Sequence, residues 1–221
     1  MGQYYLIANV DKKEFLNPHS LDNGAKLMEW SYQGNRMVNA LFNLLQSDWH
    51  GDRVYVVGDY ADSEELNEED VNWLPTYNAV AEELGFKGKL TESGYEHNLY
   101  SYVYENFKNI SNDVDSESVE EGVRYIFNNQ TKCVIDLAKL PVTYEGFDAW
   151  TGKPYYMYIS PLSLLLAMGN GRGGGDYHNC YPAFNEVGLW CESSQEIEVS
   201  RDMLHPDYDE FEVEFSEMEA A

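Results

Sequence analysis

A signature of the form Tyr-x-x-x-Asn-x-(Asp/Thr)-Lys occurs twice in this chain. The first copy is Tyr5-Leu6-Ile7-Ala8-Asn9-Val10-Asp11-Lys12, and the second is Tyr125-Ile126-Phe127-Asn128-Asn129-Gln130-Thr131-Lys132. In each, an apolar β-prone run meets a polar turn. A second apolar run follows, Phe15-Leu16 in one copy and Val134-Ile135 in the other. That is a hairpin pattern, without the Asn-Gly or Asp-Gly pair of the tightest turns. Two such hairpins point to an internal duplication, whose units would share a seam where a site can form.

The rest of the chain is read around those hairpins. Residues 18–24 have loop character, and a helical pattern begins at Ala25 and breaks near Gly34. Beyond the break, Met37, Val38, Leu41, Leu44 and Leu45 lie on one helical face, with Asn35 as N-cap. The β-branched run Val54-Tyr55-Val56-Val57 follows as a buried strand. Residues 1–62 are therefore a first ββαβ unit. Residues 63–122 form an acidic helical insertion, with one helix ending at Gly85, another carrying Leu99, Tyr102, Val103 and Phe107, and a solvated linker over 112–121. Residues 123–205 form the second ββαβ-like unit. Its helix begins at Ser160-Pro161 and continues through Met168, and strands are expected over 187–190 and 197–199. The Glu-Phe-Glu-Val-Glu-Phe alternation over 210–215 predicts that residues 206–221 form an acidic edge strand, or else a tail. The fold class expected is α+β, one domain of two hairpin–helix–strand units with a mixed or antiparallel sheet and pseudo-twofold character.

Charge narrows the partners. The chain of 221 residues carries a formal net charge of −25, and the surplus is concentrated after residue 62. Such an excess repels nucleic-acid phosphates and anionic membranes, so neither direct nucleic-acid binding nor membrane association is expected. It suits a protein partner with a basic surface, and as an alternative a nucleic-acid mimic. No long apolar run and no basic-then-apolar leader is present, and three widely spaced cysteines suit reduced thiols, so the expected location is cytoplasmic.

Further strings carry a family resemblance: Met1-Gly2-Gln3-Tyr4-Tyr5, Asn23-Gly24-Ala25-Lys26-Leu27-Met28-Glu29, Trp49-His50-Gly51-Asp52-Arg53, Gly58-Asp59-Tyr60-Ala61-Asp62, and Gly169-Asn170-Gly171-Arg172-Gly173-Gly174-Gly175-Asp176-Tyr177. Together they resemble a family of uncharacterised proteins encoded by bacteria and their phages, over nearly the whole length. Val187-Gly188-Leu189-Trp190 stands where that family has a Val-Gly-Ser-Trp-like segment, and Leu189 departs from it. The resemblance implies a phage or mobile-element provenance, including interference with host defence. It implies no activity and no catalytic residue.

The glycine string is the candidate ligand site. Gly171, Gly173, Gly174 and Gly175 free the backbone to bring N–H groups to an anion. Arg172 adds a forked donor, Asp176 an acceptor and His178 a group that titrates near neutrality. Asn35, Arg36 and Asp59 are its candidate counterparts beside the first helix. The string is neither a Walker motif nor a dinucleotide fingerprint. Asp48, Asp52, Asp59 and Asp62 read as turn formers before metal ligands, and a zinc set of His178, Cys180, Cys191 and His205 matches no known spacing. No catalytic residue, metal or cofactor is assigned. The expected function is a non-enzymatic acidic interaction protein acting on a host protein. The alternatives are a binder of a small phosphate-bearing or other anionic ligand through the glycine loop, and a hydrolase-type enzyme using Asp59, Asp176 or His178.

Overall fold

The computed structural model describes residues 3–61, 74–86, 98–119, 122–141, 144–147, 154–169, 183–184, 186–191 and 196–216. The first hairpin pairs β1 (Tyr5–Asn9) with β2 (Glu14–Leu16), Asn9 facing Glu14 across the turn. The Asn9 side chain fixes that turn by accepting the Lys12 N–H at 2.8 Å, and Lys13 closes it with φ of 55°. After α1 (Leu27–Trp30), Gly34 turns the chain at φ 82°, and α2 (Arg36–Gln46) begins with Asn35 accepting the Met37 N–H at 2.8 Å. All five apolar residues of the expected helical face are buried. Strand β3 (Val54–Gly58) then pairs antiparallel with β1, every residue buried.

Helices α3 (Leu74–Leu84) and α4 (Leu99–Asn106) follow, and β4 (Lys108–Asn109) pairs parallel with β2. The second hairpin joins β5 (Tyr125–Asn128) to β6 (Cys133–Asp136). A separate hairpin, β7 (Tyr144–Phe147) with β8 (Pro154–Met157), precedes α5 (Pro161–Leu165). Strand β9 (Ala167–Met168) pairs parallel with β3, and β10 (Ala183–Phe184) pairs with β13 (Phe215–Ser216). Strand β11 (Ile197–Ser200) runs antiparallel to β5, and β12 (Asp209–Glu210) parallel to β6.

The architecture is α+β, and its two main sheets have the same plan. One is ordered β4-β2-β1-β3-β9 and the other β12-β6-β5-β11. Hydrogen bonds repeat from one to the other. The Val10 N–H donates to the Arg53 carbonyl at 2.9 Å, as Asn129 does to Glu196 at 3.1 Å. Lys108 donates to the Lys13 carbonyl and Asp209 to that of Lys132; Ile110 donates to Phe15 and Phe211 to Val134. Lys132 has the same φ of 55° as Lys13. Each hairpin ends in a 3-10 turn capped by its last side chain, Asn17 accepting from His19 and Asp136 from Ala138.

This register corrects the sequence alignment by one residue. Asn9 corresponds to Asn128, not Asn129, and Leu6 rather than Tyr5 corresponds to Tyr125. A one-residue slip reverses the face of every side chain in a strand. Tyr5 accordingly packs in the core shared by the two sheets, whereas Tyr125 packs on the outer face with Phe127 and Val134. In the true register the shared core receives Ile7 and Ile126, Leu16 and Ile135, Val54 and Ile197, Val56 and Val199. Helices α2 and α5 contribute to that same core. The outer face of the first sheet is covered by α3 and α4, through Tyr77, Val80, Leu84, Leu99 and Val103.

Four further expectations change. Helix α5 stops at Leu165 because Ala167 and Met168 are drawn into the first sheet. Residues 187–190 are not a strand but a turn leading into a 3-10 helix at Leu189–Cys191. Residues 210–215 split between β12 and β13, with Glu212 and Glu214 exposed and Phe211 and Phe215 turned to Trp190 and Phe184. The unit boundaries also interleave, since β4 comes from the expected insertion and β9 from the second unit.

Candidate acidic functional site

The expected counterparts of the glycine string are described and hold structural roles. Asn35 caps α2 and donates from Nδ2 to Asn23 at 2.8 Å. Asp59 accepts the Tyr4 N–H through Oδ1 at 3.0 Å, and its carbonyl accepts from the Asn98 side chain. The Arg36 guanidinium reaches Asp22 at 2.7 Å, Ser116 Oγ at 3.1 Å and Glu117 at 3.0 Å. Gly171, Arg172, Gly173, Gly174, Gly175, Asp176 and His178 lie outside the described residues. So do Asp62 and Cys180.

Arg36 belongs to a row of side chains along α2 that grips residues 115–118 and Gly122. The Asn39 amide donates to the Ser116 carbonyl at 3.1 Å, the Asn43 amide to Asp115 and Ser118 at 2.9 and 2.7 Å, and Gln46 to Gly122 at 3.2 Å. Ser116 is consequently buried. That part of the stretch expected to be a solvated linker is therefore docked on α2. Its polar backbone finds partners in amide side chains spaced at helical intervals, a signal present in the sequence as Asn39, Asn43 and Gln46.

Docking creates a cleft of about 390 Å³ between the C-terminal end of α2 and the segment after β4. Asn43, Leu44, Gln46, Ser47 and Asp48 form one side, and Asp113, Val114 and Asp115 the other. Three carboxylates thus meet the end of a helix whose last carbonyls carry partial negative charge, an arrangement that favours a cation. Lys108 approaches Asp113 at 3.6 Å, with both side chains about two-thirds exposed, so solvent screens that pair. No ion pair among the described residues engages Asp48 or Asp115. The Asp48 carbonyl already draws in the Lys12 ammonium.

Most of the cations among the described residues are engaged by the chain's own acids or carbonyls. Lys12 pairs with Asp52 at 2.6 Å, Arg53 with Asp11 at 2.6 Å, Arg124 with Asp136 at 3.0 Å and Lys139 with Glu210 at 2.5 Å. The Arg53 hydrogen bonds hold the Asp11 carboxyl below its ordinary range, and Arg124 does the same to Asp136. Lys13 donates to the last carbonyls of α3 and lies over the Phe107 ring at 4.9 Å, and burial lowers its pKa. Many acids face water without such partners, among them Glu212, Glu214 and Asp207.

Other expected groups are placed apart from one another. His205 approaches Glu198 at 2.9 Å, and His50 reaches the same carboxylate at 3.6 Å from the other unit. Cys191 is buried, its thiol against the Gly188 carbonyl at 2.9 Å. Among the described residues no group of three His, Cys, Asp or Glu is arranged to hold a metal ion. Nor is any described helix long and apolar enough to cross a membrane. Tyr5 and Tyr55 are buried, their hydroxyls bonded to Gln3 and Glu83. No family model, curated protein or solved structure matches the chain.

Proposed function

We propose that this protein is a non-enzymatic binding protein of phage or mobile-element origin that docks on a basic surface of a protein partner, with a host defence protein as the partner class and the cytoplasm as the place of action. The observation that carries this reading is the asymmetry of charge. Among the described residues most of the chain's cations are engaged by its own acids or carbonyls, whereas Asp48 and Asp115 line the cleft at the end of α2 without an ion pair. A cationic side chain entering there would meet Asp48, Asp113, Asp115 and the helix carbonyls together. Complementary potential of this kind raises association rates and selects partners more than it adds bulk affinity.

The test is association with an oligo-arginine peptide at increasing ionic strength. Exposed charge pairs are screened as the Debye length falls to about 8 Å at 0.15 M salt, so affinity should drop steeply through that range. Binding that is indifferent to salt would end this reading.

A further inference from the structure

A second cleft, of about 260 Å³, opens between the 3-10 turn Pro18–Leu21 and α4. Asn17 and His19 line one wall, and Tyr100, Ser101, Tyr104 and Glu105 the other. The two tyrosines are one helical turn apart and so share a face of α4. Their rings are nearly parallel, with 11° between planes and 6.3 Å between centroids. The apolar side of the helix, Leu99 and Val103, is buried in the core over the first sheet, with Tyr100 packed partly buried against it, so Tyr104 is the ring left exposed. Tyr104 leans on Phe15 at 5.7 Å and still leaves 52% of its surface open.

Among the described residues, two carboxylates lie by the rings. Glu105 is exposed at the cleft, and Asp59 lies close enough to act on the Tyr100 hydroxyl. Burial first, then Asp59 and Tyr104, push that hydroxyl up to about 12, so it stays a neutral phenol at ordinary pH. Among the described residues no Lys or Arg lines the cleft. An aromatic face attracts a cation through its quadrupole, and a neighbouring carboxylate adds to the attraction. An anionic ligand would be repelled by Glu105. A neutral sugar would use the rings and leave the carboxylate's charge unanswered.

We infer that the Tyr100–Tyr104 cleft receives one cationic side chain of the partner, an arginine guanidinium, stacked on the open Tyr104 face with Glu105 beside it. The guanidinium is preferred over an ammonium because it is planar, stacks on aromatic rings and gives up its hydration more readily. The inference rests on the basic-partner reading and adds an anchor point outside the aspartate cleft.

N-acetyl-arginine amide titrated into the full chain, followed on the tyrosine ring resonances, tests it. The expected result is saturable shifts of the Tyr100 and Tyr104 signals at about millimolar ligand, with no such response to the neutral isostere N-acetyl-citrulline amide or to a methyl glucoside. Tyr104→Phe should bind like wild type, and Tyr104→Ala should lose about fivefold in affinity. Glu105→Gln should weaken binding about twofold. Equal response to citrulline or the glucoside would make this a cleft for neutral ligands and overturn the inference, as would unmoved Tyr100 and Tyr104 signals. An oligo-arginine peptide separates the two levels. Wild-type affinity in Tyr104→Ala overturns the arginine anchor and leaves the basic-partner reading standing, whereas no binding to wild type overturns that reading itself.

Discussion

Arg53 and Glu196 form an antiparallel bridge with each other, and each occupies the same place in its own sheet. Each carbonyl accepts the first N–H of its hairpin turn, from Val10 and from Asn129. Equivalent positions that pair antiparallel mark a local twofold axis. A second bridge, Tyr32 with Ile159, joins the segments that lead into α2 and α5. The two ββαβ units are thus closed around one core, and several measurable consequences follow from that arrangement.

Ile7→Ala and Ile126→Ala should each cost about 2–5 kcal/mol, because both remove buried methyl groups from equivalent places in the shared core. Urea unfolding followed by tryptophan fluorescence and by circular dichroism should give one coincident transition for either variant. Two separated transitions would show that the units unfold independently.

The two positive-φ lysines should respond differently to glycine. Left-handed backbone costs a residue with a side chain about 1 kcal/mol, so Lys132→Gly should raise stability by somewhat less than that. Lys13→Gly gains the same relief but loses the bonds to the α3 carbonyls and the Phe107 contact, and should not stabilise. Thermal melts of the two variants measure the difference.

How much of this was legible in the sequence can be judged on particular residues. The hairpins, the Asn35 cap and the apolar face of α2 follow from local pattern, and the structure has them. The register is hidden because Tyr5 and Tyr125 look alike, while the actual repeat rests on Asn9 and Asn128, whose side chains fold back on their own turns. Only strand pairing separates those alternatives. Helix α5 was read too long because nothing local in Ala167-Met168 announces a partner strand more than a hundred residues away. The aspartate cleft was invisible because Asp48 and Asp113 meet only when residues 111–119 lie down on α2.

Arg36→Met should free that docked segment. Hydrogen exchange should quicken at residues 115–118, with a global loss of only about 1 kcal/mol since the ion pairs are partly exposed. Unchanged protection there would mean that Asn39 and Asn43 hold the segment without Arg36.

Acid should weaken the fold through Asp11 and Asp136. Their carboxyls titrate lower in the folded protein than the ordinary value of about 3.9, so the stability they add is complete above that pH and fades as pH falls through the lowered folded values. In Asp136→Asn, which keeps a side-chain oxygen for the Ala138 cap, the stability lost between about pH 5 and pH 2 should be smaller than in wild type. A loss of the same size would remove Asp136 from the acid response.

On the proposed reading, cations are drawn to the cleft at the end of α2 and not merely to a negative protein. Calorimetric titration of an oligo-arginine peptide into wild type, into Asp48→Asn/Asp113→Asn/Asp115→Asn, and into Glu210→Gln/Glu212→Gln/Glu214→Gln tests it most directly. Each triple variant removes the same charge. The aspartate variant should lose about tenfold or more in affinity, and the glutamate variant should stay within about twofold of wild type. Equal losses in both would contradict it, leaving net charge alone as the cause of binding.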